Sequence, residues 1–106
     1  MTITIRAVGM DLTDAIRQYA EEKFGMLEKY DSSIIMIDVD LNTDTKHHQK
    51  GAIFSCSANV QVPGDMLRVE KHEEDLYKAI DKVKDHLREI LTDRKEKLRN
   101  DHRKSE

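Results

Sequence analysis

The chain has little of several residue types, and each shortage excludes a class of protein. A single cysteine, Cys56, excludes an internal disulfide and suits a reducing compartment. One proline and four glycines leave little sequence for long disordered linkers. No apolar run approaches the roughly 18 residues of a membrane span, and the N-terminus lacks a signal-peptide pattern. We therefore expect a soluble cytoplasmic domain with no membrane partner.

Charge, in contrast, is abundant and unevenly distributed. Charged residues make up 37% of the 106-residue chain and aromatic residues only 5%, which predicts an ionic surface around an aliphatic core. Residues 75–106 carry ten Lys and Arg against eight Asp and Glu, whereas residues 1–74 carry eight against thirteen. A basic last third in an acidic protein indicates an anionic partner. The alternative is a solvated helix face with i,i+4 ion pairs.

Alternation and helical spacing predict the first elements. Residues 2–7 alternate polar and apolar side chains, which is typical of a strand with one buried face. Thr13 is a candidate N-cap for a helix over residues 14–29. The apolar face of this helix is formed by Leu12, Ile16, Tyr19, Ala20, Phe24 and Leu27.

Three further strands and a second helix are predicted after the first helix. The second strand has Ile35, Ile37, Val39 and Leu41 on its apolar face. Residues 42–51 are polar and predict a loop, and residues 52–62 alternate as a third strand. Pro63-Gly64-Asp65 predicts a tight hairpin turn into a short fourth strand over residues 66–70. Asp75 is a candidate cap for the last helix, whose apolar stripe is Leu76, Ile80, Val83, Leu87, Ile90 and Leu91.

The predicted order is β-α-β-β-β-α, an α+β fold. Since each strand has one apolar and one polar face, both helices should cover the same side of a four-stranded sheet. Arg94 falls within the sheet-facing arc of the last helix, so the helix should extend past the sheet near Thr92. We predict one domain over residues 1–92 and a basic helical extension with a frayed C-terminal tail over residues 93–106. The basic residues of that tail are Arg94, Lys95, Lys97, Arg99, Arg103 and Lys104.

Two segments of the chain resemble a known family. Residues 9–19, Gly-Met-Asp-Leu-Thr-Asp-Ala-Ile-Arg-Gln-Tyr, followed by Lys23-Phe24 and Leu27-Glu28-Lys29-Tyr30, are similar to the first helix of the ribosome hibernation-promoting factors. This family includes the ribosome-associated inhibitors and was once described as sigma-54 modulation proteins. Residues 74–81, Glu-Asp-Leu-Tyr-Lys-Ala-Ile-Asp, resemble the family's Glu-Asp-Met-Tyr-Ala-Ala-Ile-Asp at the start of the last helix.

The resemblance implies a fold similar to double-stranded RNA-binding domains and a site in the decoding channel of the small ribosomal subunit. Family members there block translation during stress or stationary phase. Long members carry an additional C-terminal domain, so this chain looks like a short form. The implied partner is ribosomal RNA, with no enzymatic activity, cofactor or small-molecule substrate. The sequence leaves the oligomeric state open.

The resemblance also implies that basic side chains on both helices contact RNA. On the first helix, Lys23 and Lys29 occupy matching basic positions, whereas Met26 stands where many relatives have Lys or Arg. Lys23 lies near the centre of the apolar arc. Its stem either extends between the helices with the ammonium in the groove, or it is a lysine at the margin of the core.

The last helix departs from the family pattern. The flank that is basic in relatives reads Lys82, His86, Glu89, Asp93 and Lys97 here. Lys95 and Lys97 match the family's basic C-terminal turn. A second ridge at helical spacing, on the opposite flank, contains Lys84, Arg88, Lys95 and Arg99. Either the RNA-facing surface is rotated in this chain, or RNA binding is weaker than is usual for the family. The alternative function is a protein-interaction module that kept the fold and lost much of its RNA affinity.

Catalytic and metal sites have little support in the sequence. Asp38 and Asp40 share the polar face of the second strand, but no nucleophile or phosphate-binding loop accompanies them. The adjacent His47 and His48 lack further ligands at metal-binding spacing, so no metal site is predicted. Cys56 lies on the apolar face of the third strand, where a buried structural thiol is expected.

Overall fold

The computed structural model describes the backbone of residues 1–44 and 53–104, and it contains four strands and two long helices. A 3₁₀ turn, Met26–Lys29, follows the first helix directly. The elements are β1 (Thr2–Val8), α1 (Asp14–Gly25), β2 (Met36–Asp44), β3 (Ile53–Val62), β4 (Asp65–Glu73) and α2 (Leu76–Lys104).

The strands form one sheet in the order β1-β2-β3-β4. β1 and β2 are parallel, and α1 is the crossover that connects them. β2, β3 and β4 are antiparallel to their neighbours, with Leu41 opposite Cys56 and Ala58 opposite Val69. Pro63 and Gly64 join β3 to β4, and Gly64 has a φ of +78°. Proline followed by glycine suits a turn whose third position needs a positive φ.

Both helices cover one face of the sheet, as the alternating strands predicted. α1 packs beside β1, α2 packs across β3 and β4, and the two helices contact each other. The largest fully buried side chains come from both layers, the helices with the 3₁₀ turn and the sheet: Phe24, Leu27, Ile37, Leu41, Ile80, Leu87 and Leu91. The α+β fold and the order of its elements are therefore confirmed.

Helix caps at both predicted positions are present. The Thr13 hydroxyl accepts a hydrogen bond from the Ile16 N–H at 3.2 Å, and the Asp75 carboxylate accepts one from the Tyr77 N–H at 2.8 Å. Each cap gives a partner to an N–H group that the helix itself leaves unpaired. The first helix ends earlier than predicted, because Gly25 disfavours further α-helix and residues 26–29 tighten into the 3₁₀ turn.

Two predictions for β2 are wrong in detail. Ile35 is 49% exposed, whereas Ile34 is buried at 4%. Asp31 accepts a hydrogen bond from the Ser33 N–H at 2.8 Å, and the chain leaves this turn with Ile34 directed into the core. The strand also continues to Asp44, so residues 42–44 of the predicted loop are strand; the remainder of that loop and Ala52 lie outside the described residues.

The fourth strand is longer than predicted, since it begins at Asp65 and continues to Glu73. Lys71 and Glu73, near its end, lie on the face of the sheet that the helices cover, where they continue the row begun by the apolar Leu67 and Val69. Hydrogen-bond pairing with β3 therefore continues beyond the apolar part of the strand.

α2 is a continuous helix of 29 residues, about 43 Å long at 1.5 Å per residue. From Thr92 to Asn100 every side chain is exposed except that of Arg94. Arg94 donates from Nη2 to the Pro63 carbonyl oxygen at 3.1 Å, and its Nη1 lies 3.5 Å from Asp31 Oδ2. Arg94 therefore fixes α2 to the β3–β4 turn where the core ends. The division of the chain at Thr92 remains a prediction.

Neither helix in the described part of the chain has the length and apolar character needed to cross a bilayer.

Candidate nucleic-acid interface

Four side chains form a cluster in the groove between α1 and α2. Tyr19 and Lys23 come from α1, and Tyr77 and Asp81 from α2; we call these four the inter-helix cluster. The Tyr19 hydroxyl donates to Asp81 Oδ1 at 2.7 Å, and Lys23 Nζ lies 3.8 Å from the same oxygen. Lys23 Nζ is also 5.3 Å from the centre of the Tyr19 ring. The cluster therefore fixes the two helices side by side.

A hydrogen bond raises the pKa of the Tyr19 phenol. The bond to Asp81 is the main reason why the pKa of Tyr19 is raised from 10.0 to about 12; burial and the negative charges of Asp81 and Asp75 raise it further. At neutral pH the phenol is therefore a hydrogen-bond donor. The Lys23 side chain keeps 29% of its surface exposed, and its ammonium lies over the Tyr19 ring beside Asp81.

Helical spacing places the second predicted ridge on the same flank of α2 as this cluster. Lys84 and Arg88 follow Asp81 by three and seven residues, which returns them to the side that faces α1. We call Lys84, Arg88, Lys95 and Arg99 the groove-side flank. Lys84 is partly covered, at 16% side-chain exposure, and lies 3.0 Å from Asp85. Within the described residues, Arg88, Lys95 and Arg99 have no carboxylate within 4.0 Å.

The other predicted flank borders β4 and has mixed charge. We call Lys82, His86, Glu89, Asp93 and Lys97 the β4-side flank. Lys82 forms an ion pair with Glu73 of β4. A cleft of about 420 Å³ between α2 and β4 is lined by Lys71, Glu73, Lys82, Asp85, His86 and Glu89. With three carboxylates against two lysines, this cleft offers a polyanion no uniform attraction.

Lys29 is exposed at the end of the 3₁₀ turn, an element that contacts α2. In residues 1–44 and 53–104 no hydrogen bond or ion pair joins it to the inter-helix cluster. Met26, at the start of this turn, is 41% exposed. The structure therefore brings Lys23 together with the groove-side flank and places Lys82 and Lys97 on the other flank of α2.

The open face of the sheet carries paired charges. Arg6 Nε lies 3.0 Å from Asp40 Oδ1, and Arg68 Nη2 lies 3.1 Å from Glu70 Oε2. Glu70 also contacts His72 at 3.1 Å. Since Asp40 has a cationic partner, the Asp38–Asp40 pair does not have the form of a free acid–base couple. The face is polar and lacks exposed aromatic side chains among the described residues, so it does not resemble a base-stacking sheet.

Neither the thiol nor the histidines form a reactive site in the described residues. Cys56 is fully buried, and burial, with a smaller contribution from the Asp40 charge, raises the pKa of its thiol from 9.0 to about 12. No group of three or more metal-ligating side chains converges in the parts of the chain that the structure describes. His47 and His48 lie outside those residues.

Sequence reasoning missed the roles of Tyr19, Tyr77 and Asp81. Helical spacing predicts Tyr19 on the apolar face of α1. For Tyr77 and Asp81 the sequence indicates only that they belong to the segment that resembles the family. The i,i+4 spacing of Tyr77 and Asp81, in line with Lys84 and Arg88, was a usable signal. The contact between Tyr19 and Asp81 was not accessible, because it joins residues 62 positions apart.

The fold and this interface define a small α+β domain with cations aligned along one flank of its last helix, a charge distribution typical of nucleic-acid-binding proteins. A family model described as "Sigma 54 modulation protein / S30EA ribosomal protein" matches residues 3–99, and the chain belongs to this family. The predicted family resemblance is thereby confirmed.

Individual relatives agree with this assignment. A ribosome hibernation promoting factor of Acidithiobacillus ferridurans is 35% identical over 81 residues, covering 76% of this chain and 100% of that protein. A ribosome hibernation promotion factor of Deinococcus radiodurans is 34% identical over 83 residues, which is 77% of this chain but only 42% of that protein. The N-terminal domain of Thermus thermophilus Protein Y superposes with a TM-score of 0.76 at 32% identity, over 87% of this chain and 97% of that domain.

Proposed function

We propose that this chain binds the small ribosomal subunit in its decoding channel and holds it inactive, without catalysing a reaction. The observation that carries the proposal is the groove-side flank, a row of cations beside α1 in a chain that belongs to this family. The relatives' names, ribosome hibernation promoting factors, support the same role. Bound there, the chain would act in the cytoplasm and exclude messenger and transfer RNA.

Ribosomal RNA is a dense polyanion, so the physical basis of binding is phosphate contact with release of counterions. The residues best placed for it are Lys23, Lys84 and Arg88 beside the inter-helix groove, with Lys95 and Arg99 on the same side of α2 beyond it. Lys29 would be a peripheral contact. Lys82 and Lys97 stand among carboxylates on the β4-side flank, so we assign them a smaller share. Recognition would follow the shape and charge of RNA more than its base sequence.

Co-sedimentation with purified small subunits at a series of salt concentrations, in magnesium-containing buffer, tests this proposal. We expect binding at low salt, with a slope of log affinity against log salt of about −3 to −5 for four to six phosphate contacts. Purified large subunits provide the control and should sediment without the chain. If the chain stays in the supernatant with small subunits at low salt, the proposal is wrong.

A second function, a protein-interaction module with weak RNA affinity, is favoured by Glu89 and Asp93 on the β4-side flank. Carboxylates on that flank would attract a basic protein surface and repel phosphate. The salt series separates the two functions. A slope shallower than about −1 would indicate that few phosphates are contacted, and it would favour binding to a ribosomal or other protein.

A further inference from the structure

The groove-side flank has an aromatic side chain at its N-terminal end. Tyr77 is 41% exposed, although a large ring on a packed helix is usually covered. Its ring meets that of Tyr19 at 89° with centroids 4.7 Å apart, an edge-to-face arrangement that supports the ring from one side. Tyr77 therefore presents part of a fixed aromatic surface to solvent, in line with the cations.

The charge of this flank is mixed at one end and positive along the rest. Near Tyr77 the carboxylates are those of Asp75, which caps α2, and Asp81, whose side chain is 43% exposed, and the cations are Lys23 of α1 and the exposed Lys78. Beyond Asp81 the flank is cationic from Lys84 to Arg99, a length of about 22 Å. A phosphate is therefore attracted less strongly at the first end than along the second. A neutral group that stacks on an aromatic ring suits the first end.

We propose that Tyr77 is a stacking site for an unpaired nucleobase of RNA, and that the groove-side flank binds the phosphates of the same strand. Basic residues that follow the backbone, together with an aromatic ring for a base, are the combination used to bind single strands. The inference rests on the proposed function and adds the ligand class: a single-stranded segment of RNA.

A continuous RNA duplex does not fit this arrangement. In a duplex each base is stacked on both sides and paired at its edge, so no base face is available to a tyrosine. At the stacked spacing of 3.4 Å per nucleotide, the 22 Å of the flank correspond to about six nucleotides. We therefore expect single-stranded RNA to bind more tightly than a duplex of equal length.

Fluorescence anisotropy with the full chain tests the site. The probes are a short labelled oligoadenylate and a labelled RNA duplex of the same length. Tyr77→Leu should weaken binding of the single strand by roughly five- to 100-fold, since base–aromatic stacking contributes on the order of 1–3 kcal/mol. Tyr77→Phe keeps the ring and should remain within about twofold of wild type. Because stacking involves no ion, the salt slope of Tyr77→Leu should equal that of wild type.

A second variant gives a direct signal that does not depend on affinity. The chain has no tryptophan, so Tyr77→Trp introduces a single one. We expect quenching of its fluorescence by oligoadenylate at concentrations that titrate the anisotropy. Thermal melts of all three variants identify any that unfold, and Tyr77→Phe and Tyr77→Trp preserve an aromatic partner for Tyr19.

The outcomes separate this inference from the proposed function. Equal binding by Tyr77→Leu and wild type, absence of quenching, or preference for duplex would overturn the stacking site. If wild type still co-sediments with small subunits in those cases, the proposed function stands. If wild type binds neither small subunits nor oligoadenylate, the proposed function is wrong and the stacking site falls with it.

Discussion

The two flanks of α2 differ both in their own side chains and in what stands opposite them. The groove-side flank faces α1, whose Lys23 adds a cation, and Asp81 there is bound to Tyr19. The β4-side flank faces Lys71 and Glu73, and its own Glu89 and Asp93 add negative charge. The comparison teaches that the charge of a flank depends on its own carboxylates and on the element opposite it together, and not on the basic content of the helix alone.

The largest expected effect comes from reversing charge on the groove-side flank. Lys84→Glu combined with Arg88→Glu should weaken small-subunit binding by roughly 100-fold at low salt, because two attractions become repulsions. The matched control, Lys82→Glu with Lys97→Glu, changes the net charge equally on the β4-side flank and should cost less than about fivefold. Co-sedimentation measures both. Equal losses in the two double variants would remove the distinction between the flanks.

Arg94 lies between the two flanks and should matter for stability instead of binding. Arg94→Ala removes the hydrogen bond to Pro63 and the ion pair with Asp31, whose side chain is 11% exposed. We expect a loss of about 2 kcal/mol in the free energy of unfolding. Urea denaturation measures it, and Arg99→Ala, at an exposed position, should stay within about 0.5 kcal/mol of wild type. A tenfold loss of RNA affinity in folded Arg94→Ala would place Arg94 in the interface.

Tyr19→Phe tests whether the inter-helix cluster holds the groove together. Losing the hydrogen bond to Asp81 should cost about 1 kcal/mol at pH 7. Folding raises the pKa of Tyr19 from 10.0 to about 12. The stabilisation that the protonated phenol contributes is therefore complete below pH 10 and is lost as the pH rises toward 12. The stability difference between wild type and Tyr19→Phe should therefore shrink over that range.

Urea titrations at several pH values provide this measurement. Cys56 titrates in both proteins, so its contribution cancels in the difference. Tyr30→Phe is the control, because no hydrogen bond of the Tyr30 hydroxyl occurs among the residues that the structure describes. A difference that stays constant to pH 12 would contradict the assigned role of the phenol.

The smallest effect is expected from Glu89→Lys with Asp93→Lys. Salt at about 0.15 M screens charges beyond roughly 8 Å, and a helix with its side chains is about 10–12 Å across. We therefore expect less than about fivefold gain in small-subunit affinity at that ionic strength. A gain of tenfold or more would mean that RNA lies along the β4-side flank and that these carboxylates weaken its binding.

Most of the fold was predictable because its information is local. Alternation predicted the strands, and hydroxyl or carboxylate residues at the helix starts predicted both caps. Ile35 was misassigned because Ile34 and Ile35 are equally apolar, and only the turn at Asp31 determines which one enters the core. Asn42 and Asp44 looked like a loop because polar residues do not reveal that a neighbouring strand continues beside them.

The candidate interface was predictable only in part. Spacing along α2 separated Lys84 and Arg88 from Glu89 and Asp93, but a single helix does not reveal which of its flanks faces α1. Arg94 was grouped with the basic tail, although its partners are the Pro63 carbonyl and Asp31. Its role depends on two loops that come together only in the folded chain, so charge counting could not distinguish it from Lys95.

The fixed end of α2 has a thermodynamic consequence. The guanidinium of Arg94 holds α2 to the β3–β4 turn, and the residues after Arg94 continue the same helix to Lys104. A loose basic tail would lose conformational entropy when a ligand ordered it, and that loss would be subtracted from its affinity. In this chain the residues beyond Arg94 are already helical, so a smaller entropy loss is subtracted from the affinity that their charge contacts provide.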